Sequence, residues 1–228
     1  NLSEKYRSED NSMRTIRVTG KGSVKTAPDQ YRISYRISSR AKDAEDSSNL
    51  AAKNYNLILT ELIRLGFEQK DVKTTQYQIT TYEEKEYMKA HDRYVVRESG
   101  YECNWNGYFE WDMIKLKLGE VIRAITASKA DCQFKISYKI KDPTAVGKEL
   151  LEKCVADSQM KAKILAGAAG CQLGSIQSID YSYGEILIHD TEDCDINCGD
   201  MTMPMSDVEM NPEDIENSDT VSIEWELE

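Results

Sequence analysis

Soft sulfur donors gather late in the chain. His189, Cys194, Cys198, Met201, Met203, Met205 and Met210 fall in one acidic stretch, and thiolate with thioether sulfur is the donor set that suits Cu(I). Met-x-Met-x-Met in an extended segment puts alternate thioethers on one side. This makes His189, Cys194, Cys198, Met201, Met203 and Met205 candidate soft-metal or redox-responsive residues. Against that reading, Cys-x-x-x-Cys is not a zinc spacing and methionine also serves adaptable contact surfaces, so an oligomer contact or a plain loop competes with it.

Other chemistry is harder to assemble. The two histidines, His91 and His189, lie in charged stretches with no nucleophile elbow beside them, and nothing among the 40 carboxylates selects a catalytic pair. The reading is therefore a non-enzyme with no cofactor. Gly20-Lys21-Gly22-Ser23 lacks the third glycine of a dinucleotide loop and the Gly-Lys-Ser/Thr ending of a P-loop, and a strand follows it. Its glycines are expected to permit a bulge or a close strand contact.

Composition narrows the partners. Forty acidic against 29 basic residues give a net charge of −11, which repels a phosphate backbone, and no apolar stretch nears the roughly 20 residues of a membrane span. No Lys or Arg follows Lys163, while 16 of the 40 carboxylates lie from Ile164 onward, so an acidic tail is expected to meet a basic body by charge complementarity. Six cysteines without a C-x-x-C pair read as reduced thiols, and no charged-then-apolar opening is present. The expectation is a cytoplasmic protein, or an exported one if a signal segment has been removed.

Period-two alternation marks the strands: Ile16–Val18, Tyr31–Ile37, Tyr101–Trp111, Phe134–Ile140 and Val221–Leu227. Helical spacing is expected from Asp43 to Leu65, from Asp112 to Ser128, and from Pro143 to Gly170. The order from Asp29 to Lys141 is strand, helix, strand, strand, helix, strand. This predicts an α+β fold with an antiparallel sheet, a split β-α-β (βαββαβ) core, a third long helix and additional C-terminal strands. Residues 1–12 are expected to be a polar leader with Met13 as the start, and 13–228 a single domain. Two insertions are expected, a charged hairpin at 82–98 and an acidic Met-rich loop at 189–219. Tyr101, Trp105, Phe109 and Trp111 share the buried parity and should pack under helices, whereas Arg17, Arg32, Arg36 and Arg40 sit on polar parity as a candidate oligomer or partner surface.

The stretch Val18-Thr19-Gly20-Lys21-Gly22-Ser23-Val24, followed by Ala27-Pro28-Asp29, resembles the opening of SIMPL-domain proteins. The likeness continues at Asn49, Gly66, Asp71–Thr75, Gly100-Tyr101, Leu118–Ile122, Ala162–Ala166, Gly170 and Leu173-Gly174. The resemblance implies an α+β fold, homo-oligomers in some members, and a periplasmic place and stress tolerance in others. It supplies no catalytic residue. Ser158 stands where many relatives have alanine. The expectation drawn from all this is a self-associating, partner-binding protein, with soft-metal or redox binding at 189–210 as the alternative.

Overall fold

An alternating strand can shed water from one face only, and in the computed structural model of the chain the alternating runs lie in antiparallel strands. Residues 14–88, 93–181, 194–197 and 212–228 are described, with the backbone alone for Arg93 and 194–197. The elements are β1 (Thr15–Thr26), β2 (Gln30–Ala41), α1 (Ala44–Arg64), β3 (Lys73–Met88), β4 (Arg93–Asp112), α2 (Leu118–Ala127), β5 (Gln133–Lys139), α3 (Pro143–Ala168), β6 (Leu173–Asp180), β7 (Cys194–Asn197) and β8 (Ile215–Leu227). They divide into two compact units, each with its own antiparallel sheet.

In one unit the sheet order is β3-β4-β2-β5-β7. Chain neighbours β2 and β3 are thus separated by β4, which is the split β-α-β arrangement expected from the element order. Ile33, Ile37, Phe109 and Ile136 bury one face against Ala51, Ile58 and Leu62 of α1 and Val121, Ile122 and Ile125 of α2. Asp43 caps α1 by accepting from the Asp46 amide at 2.8 Å, and Gly66 ends it in the left-handed region at φ 96°. Where β4 ends, Asp112 accepts from Gln30 at 3.0 Å and from Lys141 at 2.9 Å, with Lys115 3.3 Å away. Those donors hold its carboxyl well below the usual carboxylate range.

The other unit lays α3 across a sheet of order β1-β8-β6. Its buried stripe of Val146, Leu150, Cys154, Ser158, Ala162 and Ala166 recurs every four residues, and its small members allow close approach. The strand contributes Gly20 and Gly22 to the contact. A Cβ on Gly20 would lie 1.9 Å from the Cys154 carbonyl oxygen, and one on Gly22 would lie 2.6 Å from that of Leu150. The Gly-Lys-Gly motif therefore brings a helix backbone onto a strand backbone; the partner is a helix where a strand was expected. Along the outer edge of β1, Lys161 donates to the Thr19 carbonyl, Asp157 accepts from the Lys21 amide, and Lys153 donates to the Ser23 carbonyl. One helical row thus satisfies the free edge of a strand. Ser158, unexplained in the sequence, donates to the Val18 carbonyl at 3.2 Å and accepts from the Trp225 indole at 3.4 Å.

Two boundaries differ from the sequence expectation. The second helix begins at Leu118 because β4 stays in register with β2 as far as Asp112. The 82–98 stretch pairs across the β3–β4 ladder to Met88↔Arg93. Within 189–219, Cys194–Asn197 form β7 beside β5, and β8 starts at Ile215, where Ile215 and Asn217 are buried.

Two outcomes are expected. Gly20→Ala should cost about 2–3 kcal/mol, because backbone atoms on both sides must move apart; urea unfolding followed by circular dichroism measures it, and an unchanged midpoint would refute the contact. Asp112 has a folded pKa below its unfolded one, so its stabilisation is full above the unfolded value and fades as pH falls through the folded value. Asp112→Asn should therefore lower the urea midpoint at pH 7, with the gap to the parent closing below roughly pH 4.

Candidate functional site

With β4 and β5 on either side of β2, every polar side chain of β2 acquires two fixed neighbours. Register places Arg32 between Glu110 and Ser137, Ser34 between Tyr108 and Lys135, and Arg36 between Asn106 and Gln133. Ser34 is the smallest side chain of its surroundings, and long ones ring it. The result is a cleft of about 610 Å³ on the polar face of the sheet, lined by Arg32, Ser34, Arg36, Asn106, Tyr108 and Lys135 among others. Its described lining holds three cations and no carboxylate.

Charge is balanced differently along this face. At one end Arg40 pairs with Glu84 and, at 2.8 Å, with Glu102. Arg40, together with Asn104 and Ser38, holds the Glu102 carboxyl below its ordinary value. Toward the other end Glu110 is shared by Arg32 at 3.4 Å and Lys139 at 3.2 Å, and the Arg32 guanidinium lies 3.8 Å over the Tyr108 ring. Between them Arg36 is exposed and forms no ion pair among the described residues. Asn106 donates to Gln76 at 3.0 Å, while its buried Oδ1 receives no hydrogen bond among the described residues. Beneath this face Tyr35 donates to the Lys73 carbonyl, and burial pushes its hydroxyl up to about 12.

A second feature is the distal part of the β3–β4 pair. Beyond Gly100, β4 has no rung with β2, so the two strands continue as a ribbon to Met88↔Arg93. It exposes Tyr87, Met88, Tyr94 and Val96, with Tyr94 70% exposed, and the Tyr87 and Tyr94 rings lie 5.2 Å apart across the strands.

The sequence-predicted residues separate. Arg32 and Arg36 share the cleft, Arg40 lies farther along the same strand in its own ion pairs, and Arg17 is on β1 of the other unit, 3.1 Å from Glu224. His91, His189, Cys198, Met201, Met203, Met205 and Met210 lie outside the described residues; Cys194 has a described backbone, opposite Ile136. Among the described residues no group of three or more His, Cys, Asp or Glu could hold a metal ion. Phe109 and Trp111 are buried under the helices, and Trp105 stacks on Tyr55 at 4.3 Å, as parity predicted; Tyr101 is exposed. Sequence reasoning missed Ser34, Asn106, Tyr108 and Lys135 as a group. Their alternation gave each one's face, but only strand order brings the three strands together.

Comparison with known proteins follows the same outline. The family model described as "SIMPL: Protein of unknown function (DUF541)" matches residues 16–225. Two curated relatives, from Brucella melitensis biotype 1 and Brucella abortus strain S19, are each named 26 kDa periplasmic immunogenic protein. Each is 24% identical over 178 residues, covering 75% of this chain and 69% of the relative. These relatives overturn the cytoplasmic expectation, which rested on the opening residues and on cysteine spacing, neither of which fixes a compartment. No helix among the described residues is long and apolar enough to cross a membrane.

Proposed function

This chain belongs to the SIMPL family, and from that premise we propose that it is an exported, self-associating binding protein whose copies meet through the β3–β4 ribbon. The observation that carries this is the exposed apolar set on the ribbon, Tyr87, Met88, Tyr94 and Val96. A two-stranded ribbon without a covering layer is marginal in water. The ion pairs Glu83–Lys85 and Glu86–Arg97 along it are exposed and add little. A second copy supplies the missing layer. The β3 edge adds to this, since no strand pairs beyond it among the described residues. The periplasmic place is carried over from the named relatives, and the burial of Cys103 and Cys154 shields their thiols in an oxidising compartment.

Redox response at 189–210 is the second reading, favoured by one pairing. Gln133 faces Asn197 in the β5–β7 ladder, Cys132 precedes Gln133 in sequence and Cys198 follows Asn197. A disulfide oxidant that joins these two cysteines would take two electrons and two protons from them as the bond forms.

Two measurements test these readings. Light scattering after size exclusion should give a multiple of 26.0 kDa for the parent and 26.0 kDa for the Tyr94→Lys, Val96→Lys double variant, with unchanged circular dichroism. A parent that is monomeric at low and high salt across micromolar concentrations defeats the assembly claim. For the redox reading, thiol titration of the denatured oxidised protein should find two fewer thiols than after reduction. Cys198→Ser should abolish the difference; equal counts in the parent end this reading.

A further inference from the structure

We propose that the outer edge of β6 takes up an extended peptide from another protein, one whose apolar residues alternate with lysine or arginine. The inference does not rest on self-association, because β6 and the β3–β4 ribbon belong to different units.

The two edges of the three-stranded sheet are served differently. At β1 the Lys153, Asp157 and Lys161 row of α3 meets the outward backbone groups. At β6 no strand pairs beyond the edge among the described residues, and its 8 residues include no Lys, Arg or Pro to blunt it.

Helix α3 also stops short of this strand. Register sets Ile176 opposite Trp225 and Ile179 opposite Ile223, so all four point to the helix side. On β8 Ile223 and Trp225 are buried, whereas Ile176 is 43% and Ile179 56% exposed. A register shift between Ile176 and Ser178 is what brings both isoleucines onto one face. Tyr181, just past the strand, is exposed too and donates to Asp219 at 2.7 Å. An apolar strip beside an open row of N–H and C=O groups is the surface to which a strand adds. The backbone supplies the bonds and the strip receives alternate side chains.

Charge decides what kind of strand fits. On the opposite face Glu226 accepts from Ser175 at 3.1 Å and from Gln177 at 3.2 Å, both on β6, and pairs with no cation among the described residues. A Cβ on Gly174 would lie 3.1 Å from the Glu226 Cβ and from the Glu228 Oε1, so these two side chains lean over β6. Glu224 is answered by Arg17 from β1, which leaves the β6 side of the sheet acidic. No Lys or Arg follows Lys163, so the β6 edge of a second copy brings the same acidic face and repels this one. A strand with cations on this face and Val or Ile on the other satisfies both.

The test is fluorescence anisotropy with the fluorescein-labelled peptide Lys-Val-Arg-Ile-Lys-Val-Arg, together with hydrogen exchange of the full chain. Saturable binding with a Kd of about 100 μM or tighter is expected, with slowed exchange inside Leu173–Asp180. Replacing the central Ile of the peptide by Pro, which removes a backbone donor, or its cations by Glu should weaken binding about tenfold or more. Ile179→Lys should do the same, and Glu226→Gln should weaken binding about threefold, both with unchanged circular dichroism. Ile114→Lys and Glu120→Gln, exposed changes in the other unit, should leave it unchanged. No saturable binding, a Pro peptide that binds equally, or equal weakening by Ile114→Lys overturns the proposal. So does exchange inside Leu173–Asp180 that is already slow and unaltered by the peptide, since this chain would then cover the edge itself. A lower mass for Ile179→Lys than for the parent in light scattering also overturns it and gives the face to a second copy.

Discussion

Period-two side chains let a strand expel water from one face alone, and both candidate surfaces of this protein follow from that constraint. Once Ile33, Ile37, Phe109 and Ile136 commit one face to α1 and α2, the polar residues between them have no choice of side. Their chemistry is then set by who stands across the ladder. Arg40 meets Glu102, Arg32 meets Glu110, and Arg36 meets Asn106, so three arginines of identical parity end in three different electrostatic settings. An arginine with an amide rather than a carboxylate across the ladder arises from register, without any special loop.

The helix-covered strand of the other unit shows the same logic applied to an edge. Gly20 and Gly22 give up side chains on the inward parity so that the α3 backbone comes close, and closeness lets Lys153, Asp157 and Lys161 reach the outward groups of β1. An edge served in this way offers a further strand fewer groups to pair with. The long outer edge of β3 has no helix row of this kind among the described hydrogen bonds. The two units therefore differ in what these edges leave open, and the open edge of the two lies on the β3–β4 ribbon. Burial raises the pKa of the Cys154 thiol, which donates to the Asp219 carbonyl at 3.2 Å, so this cysteine acts as a packing element of the contact.

Much of the fold was legible because parity and caps are local. Asp43 and Asp142 cap their helices, Pro143 opens α3, and the alternating runs became the strands they suggested. The misjudged boundaries have non-local causes. Residues 113–117 have helix-compatible types but follow a strand that its partner holds to Asp112, and Ile215 joins β8 because β1 reaches back to pair with it at Thr26. The cleft was half legible: Arg32 and Arg36 were placed on the right face, while Lys135 and Asn106 needed the order β4-β2-β5, which no periodicity encodes. Ser158 was opaque for a related reason, since its two partners, Val18 and Trp225, are far from it in sequence.

The segregation of charge along the sequence becomes two different local balances in space. In the unit built on β8, tail carboxylates answer basic residues rung by rung: Glu224 faces Arg17, and Glu216 faces Lys25 at 3.3 Å. Such exposed pairs contribute little to stability, so their effect is to favour one register over its neighbours. On the polar face of the five-stranded sheet Glu102 and Glu110 stand on either side of Asn106 along β4, so Arg40 and Arg32 face carboxylates and Arg36 faces an amide. The acidity of the rest of the molecule repels polyanions at long range, and that repulsion grows with the charge of the approaching partner.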